Sequence, residues 1–196
     1  MMDKSLFTLG GAAWINLLNT VVMRNKQPAD LLADPEIIKS WLEENGLLLP
    51  DIDHPSDQVN HDRLRNRLAA LRNMFTQVLN DLECQGSLSA SVFDEIKTYT
   101  EALKVKLTTS CQGAKLVLEY EGKTPMDHIG YTIIRSMFDT LSSVPPDRIR
   151  KCEHENCILH FVDVSKSGQR RWCSMERCGN RRKATQFYEK NKKKKA

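Results

Sequence analysis

Residues Cys152–Lys183 read CEHENCILHFVDVSKSGQRRWCSMERCGNRRK. Four of the chain's six cysteines lie here as two pairs, Cys152/Cys157 and Cys173/Cys178, with four residues inside each pair and fifteen between the pairs. Thiolates at this spacing build a tetrahedral zinc site, in which each short-spaced pair forms a knuckle and the intervening segment folds one knuckle against the other. The competing reading is a disulfide pair or unrelated buried thiols. Met1–Gly10 lacks a charged start leading into a long apolar core, so no signal peptide and a reducing, cytoplasmic setting are expected, in which clustered thiols favour a metal. Four thiolates fill the coordination sphere, which predicts a structural rather than catalytic zinc, with His154 and His160 as spare donors.

The run Arg171-Trp172-Cys173-Ser174-Met175, then Cys178-Gly179-Asn180-Arg181, with Phe161 and Asp163 between the cysteine pairs, resembles the CGNR zinc finger of bacterial proteins. One departure is Ile158 after the second cysteine, where a small residue, often glycine, is expected. In that family the finger follows a helical domain called ABATE, described as a stress-induced transcription regulator. The resemblance implies a helical sensor ahead of a nucleic-acid-binding finger.

A chain of 196 residues suits one medium domain with a small appendage. Charge divides it: residues 1–147 hold 14 basic and 20 acidic side chains, net −6, whereas 148–196 hold 15 and 5, net +10. An acidic body joined to a basic end points to a polyanionic partner for that end. The expected division is a helical domain over 1–147, a zinc finger over 148–190 and a disordered lysine tail over 191–196. No apolar run reaches the roughly 18–20 residues of a membrane span.

Along the body, Leu9–Val21 places Trp14, Leu17, Leu18 and Val21 at helical spacing. Asn19-Thr20 interrupts that face. The ABATE resemblance makes Asn19 a candidate ligand contact, while the local alternative is that its amide fixes a backbone turn. Asp34-Pro35-Glu36 signals a helix start and Gly46 its end, around a stripe of Ile37, Ile38, Trp41 and Leu42. Leu49–Ser56, with its prolines, reads as a loop. A long helix follows over about 57–84, with Leu64, Leu68, Leu71 and Phe75 inward and Arg63, Arg65, Arg67 and Arg72 expected on a solvated face. Ser89 or Ser91 caps the next helix, whose stripe is Val92, Ile96, Tyr99, Leu103 and Leu107. Lys115–Glu121 alternates as a strand, and Thr124-Pro125 starts a helix that ends before Pro145-Pro146. In the finger, Leu159–Val164 is expected as one arm of a hairpin turning at Lys166-Ser167-Gly168, and a helix over about 180–190 is expected to pack Ala184 and Phe187 on the finger. The fold class is therefore mainly α, with a short β-hairpin in the body and a small treble-clef-like or ribbon-like zinc finger at the end.

Arg170 and Arg171 precede the second knuckle, and Arg181, Arg182 and Lys183 follow it. Metal binding would gather both groups on one rigid body, where guanidinium forks suit phosphates and guanine edges. Lysine at five of the six positions Lys190–Lys195 adds non-specific attraction to phosphates. The expected function is a DNA-binding transcription regulator, with the body sensing an unidentified small molecule or mediating homodimerisation. Rival readings are an RNA-binding finger that stacks bases on Trp172 or Phe161, and a zinc module that binds proteins. An enzyme is not expected: His160 and Asp163 lie three apart on a strand and so on opposite faces, and no nucleophile elbow or phosphate-cradling loop accompanies them.

Overall fold

In the computed structural model, residues 3–48 and 58–193 are described; the loop expected at Leu49–Ser56 and the last three tail residues lie outside them. The first ordered element is a 3-10 turn, Lys4–Thr8, capped by the Asp3 carboxylate. Helix α1 follows over Ala13–Leu18 with Asn19 as its C-cap, so the helical spacing holds for Trp14, Leu17 and Leu18 and fails at Val21. Val21 instead begins β1 (Val21–Arg24), paired antiparallel with β2 (Gln27–Asp30). Asn25 and Lys26 join the strands with φ of 50° and 64°, the left-handed two-residue turn whose twist matches a hairpin. Four-residue strands containing Pro28 carry too little alternation to be read in advance.

Helix α2 (Pro35–Glu44) starts as expected: the Asp34 carboxylate accepts the Glu36 N–H, and Pro35 occupies the first turn. Its Ile38, Trp41 and Leu42 are buried. The long helix α3 (Gln58–Gln85) and α4 (Ala90–Ala102) form an antiparallel pair, with Ser89 capping the second. Leu107, expected on the α4 stripe, belongs instead to β3 (Val105–Gln112), which pairs with β4 (Lys115–Gly122). The stretch VKLTTSCQ is rich in β-branched residues and favours a strand once the helix ends. Helix α5 (Pro125–Ser143) closes the body, its N-terminus capped by Thr124.

Two arginines of α3 leave the solvated face expected of them. Arg72 is nearly buried, donating to both carboxylate oxygens of Asp30, at 2.7 and 2.5 Å, and to the Thr20 hydroxyl at 2.8 Å. Arg67 reaches the Tyr99 hydroxyl at 3.3 Å and lies 3.6 Å from Asp127, tying α3 to α4 and α5. The core centres on Trp14, Trp41, Phe75, Leu68 and Ile133, all inaccessible to solvent. Trp14 meets Phe75 edge-on and donates its indole N–H to Thr140.

Residues beyond Pro145 share this core. Ile149, Phe161 and Val162 are buried in the same apolar cluster as Trp14 and Leu17. The expected boundary at Pro145–Asp147 thus marks the end of α5 without a break in packing.

Candidate metal centre

Strands β5 (Ile149–Lys151) and β6 (His160–Val162) pair antiparallel, with Arg150 opposite Phe161. The strand expected at Leu159–Val164 therefore finds its partner upstream, not beyond Gly168, and the first cysteine pair lies in the connection between the arms. Cys152 extends the ladder by donating its N–H to Leu159 O at 2.8 Å, and the Cys157 N–H closes a turn on His154 O at 2.9 Å. The second pair is set by a single π-helical turn, Met175–Gly179, whose start is capped by the Ser174 hydroxyl. Gly179 lets the Met175 thioether and the Trp172 ring close over the turn, and a Cβ there would displace the Met175 side chain. Helix α6 (Asn180–Lys193) leaves from that turn.

The four cysteines converge, with every Sγ within 4.8 Å of the others. Cys157 Sγ lies 3.8 Å from Cys173 Sγ, which lies 3.6 Å from Cys178 Sγ. Zinc–sulfur bonds of about 2.3 Å at tetrahedral angles place sulfurs about 3.8 Å apart, so the donor set and its spacing fit zinc. Cys152, Cys173 and Cys178 are buried and Cys157 half-buried. With all four corners supplied by protein, no position stays open for substrate.

Crowding shapes the protonation of the cluster. Hydrogen bonds from the Cys157 and Cys173 thiols pull the Cys152 pKa far down, while the bond to Cys152 pushes Cys157 up to about 12 and Cys173 far above the usual thiol range. Crowding of like thiols thus opposes ionisation at Cys157 and Cys173, and a central divalent cation would offset it by stabilising the sulfurs as thiolates. The Cys173 N–H and one Arg181 amino group approach sulfur at 3.4 and 3.5 Å and supply positive charge around the cluster. Neither histidine joins it: His154 Nδ1 accepts the Asn156 N–H, and His160 Nε2 sits 4.0 Å from Glu83, its pKa lowered by burial.

The expected cationic residues separate into two roles. Arg170, expected among the DNA contacts, is half-buried and turns onto the chain's own backbone. Its guanidinium lies 4.2 Å over the Phe161 ring and donates to the carbonyls of Trp172, Cys173, Val162 and Leu9. Arg171 is exposed, resting 5.0 Å over Trp172 and bonded to Glu153 at 2.6 Å. Arg181 spans the helix start, donating to Arg177 O at 2.6 Å. On α6, Lys183 is exposed and Arg182 half-buried, and no bond or ion pair within the described residues holds them. Phe161 is wholly buried and so cannot stack on bases. Ala184 and Phe187 are exposed, contrary to the packing expected of them, because α6 stands out from the finger. The helix also carries the lysine run on as far as Lys193. Asp163 accepts the Ser165 and Arg170 N–H groups, each at 2.9 Å; burial alone would raise its pKa, and these bonds hold it below the ordinary carboxylate value.

The finger is clamped to the body. Asn19 donates to His160 O and accepts the His160 N–H, and the Val162 N–H bonds Gly10 O at 2.9 Å. Thr20 completes the pair by accepting from Arg72. Arg177 lies 3.4 Å from Asp3. Acceptors such as Leu9 O and Gly10 O are backbone atoms and leave no trace in side-chain pattern.

Residues 148–191 match the family model described as CGNR zinc finger. Residues 11–105 match the ABATE model, described as "Putative stress-induced transcription regulator". No curated protein matches the chain. Among the described residues, no helix is long and apolar enough to cross a membrane. The chain thus carries an ABATE region over residues 11–105 and a CGNR zinc finger over residues 148–191, where Cys152, Cys157, Cys173 and Cys178 converge.

Proposed function

We propose that the chain is a zinc-dependent DNA-binding regulator in which α6 meets the duplex and the body controls how that helix is presented. The supporting observation is the placement of α6. It is rooted at the metal centre, is exposed at most of positions 180–188, and carries Arg182 and Lys183 with no intramolecular partner among the described residues. An α-helix about 10–12 Å across fits a major groove about 12 Å wide. Arg171 lies on the exposed side of the second knuckle and would add a phosphate contact once released from Glu153. Zinc holds the turn from which the helix departs and performs no chemistry on nucleic acid.

Phe187 and Tyr188, 62% and 72% exposed on the same helix, favour a second reading, in which α6 stacks on unpaired bases of folded RNA or docks on a protein. A salt titration of the zinc-loaded chain against duplex DNA and folded RNA separates these. The DNA reading requires tighter duplex binding at fixed salt, with log K falling linearly in log salt. A random-duplex selection would then reveal the site. Absence of duplex binding at low ionic strength would overturn the reading.

A further inference from the structure

The β3–β4 ribbon sorts its side chains by face. Its register sets Leu107 opposite Tyr120, Thr109 opposite Leu118 and Cys111 opposite Leu116, and since alternate residues share a face, all six lie on one side. The other side carries Lys106, Thr108, Ser110, Glu119 and Glu121, with half-buried Val117 among them. The apolar side is turned to solvent: Leu107 is 55%, Leu116 75%, Leu118 64% and Tyr120 55% exposed. At its base it opens on a groove of about 440 Å3 lined by Leu103, Val105, Tyr120, Tyr131 and Phe138. Two strands alone are marginal in water, and an open apolar edge invites pairing with another strand.

Among the described residues, β4 pairs only with β3, and its phase and charge pattern bear on what its other edge could accept. The Lys123 N–H donates to Lys104 O, which sets the phase of the ladder and turns the N–H and C=O of Leu116, Leu118 and Tyr120 away from β3. An antiparallel second copy centred on Leu118 would set Leu118 against Leu118, Leu116 against Tyr120, and Lys115 against Glu121. Opposite charges then meet at both ends, and exposed Leu116 lands beside Tyr120 at the mouth of the other copy's groove. Sliding the centre one residue toward Glu119 would oppose two glutamates, and sliding it toward the turn shortens the overlap.

We propose that the chain forms a symmetric dimer in which β4 pairs edge to edge with β4 of a second copy across Leu118, making one four-stranded sheet. This goes beyond the nucleic-acid reading and does not depend on it. A twofold-symmetric edge closes on itself and leaves the outer β3 strands as the new edges.

Sedimentation equilibrium of the full zinc-loaded chain over a concentration series tests the proposal. The unmodified chain is expected at dimer mass and Leu118→Lys at monomer mass with unchanged circular dichroism, since two lysines would meet on the axis. Lys115→Glu and Glu121→Lys should each weaken the dimer about tenfold, because each places like charges together twice. Mixed in equal amounts, these two variants should form a heterodimer of near-original affinity, as both pairs regain opposite signs. Glu121 also pairs with Lys106 of its own chain at 3.2 Å, so circular dichroism of Glu121→Lys accompanies the measurement. A monomeric unmodified chain, a dimeric Leu118→Lys chain, or a mixture no tighter than its components would overturn the proposal.

Discussion

The side-chain amide of Asn19 holds both backbone polar groups of His160, donating to its carbonyl and accepting its N–H at 2.8 Å each, across 141 residues of sequence. It stands in for a strand neighbour on the open side of β6, so body and finger are joined through main-chain geometry. Asn19→Ala leaves both His160 groups without partners, for a cost of about 2–3 kcal/mol. Asn19→Asp keeps the acceptor but sets a carboxylate against the His160 carbonyl, and should lose as much. Urea unfolding of the three chains checks this, and an Asn19→Ala chain as stable as the original would show the clamp to be idle.

Metal removal should propagate beyond the finger. Structural zinc is worth about 10–16 kcal/mol in comparable peptides, and Phe161 and Val162 belong to the same buried cluster as Trp14. Chelation or Cys173→Ser is therefore expected to unfold the finger and also to lower the melting temperature of the body. Hydrogen exchange across α1 and α5, with and without chelator, reads the second effect directly. Unchanged protection there would mean that the shared packing transmits nothing.

Arg170 and Lys183 should respond in opposite ways. Arg170→Ala removes donors to several buried carbonyls and a cation–aromatic contact, costing about 2–4 kcal/mol of stability and loosening zinc. Lys183→Ala should leave zinc content and melting temperature unchanged, while lowering the salt slope of duplex binding by about 1. Calorimetry and anisotropy titrations on both variants make the comparison.

The Asp30–Arg72 pair predicts a pH signature. The Arg72 guanidinium bonded to Asp30 holds that carboxyl below its ordinary value, so the pair's stabilisation is present above the unfolded carboxylate pKa of about 3.9 and is lost as pH falls through the folded value. The melting-temperature gap between the original chain and Asp30→Asn should be widest near neutrality and close below about pH 4. Measuring the gap at matched pH cancels acid release of metal, which affects both chains. A gap independent of pH would show that Asp30 contributes no charge interaction.

The sequence made the thiol cluster legible because spacing along the chain decides which sulfurs can meet. It also carried the caps at Asp34, Ser89 and Thr124, where a single polar side chain meets the first free N–H groups of a helix. Leu107 is ambiguous in sequence, because an apolar residue four beyond Leu103 satisfies helical and alternating patterns alike, and only the pairing with Tyr120 separates them. The inward turn of Arg170 was hidden for another reason. Its acceptors are main-chain carbonyls of β6, the second knuckle and the segment before α1, and no side chain there announces them.

The bond from Val162 N–H to Gly10 O has a practical corollary for protein engineering. A chimera that grafts residues 148–193 alone onto a foreign scaffold would strip β6 of its outer neighbour and expose Phe161 and Val162. A transplant meant to keep its shape must bring residues 3–20 with it, so the smallest portable unit is two distant pieces of sequence.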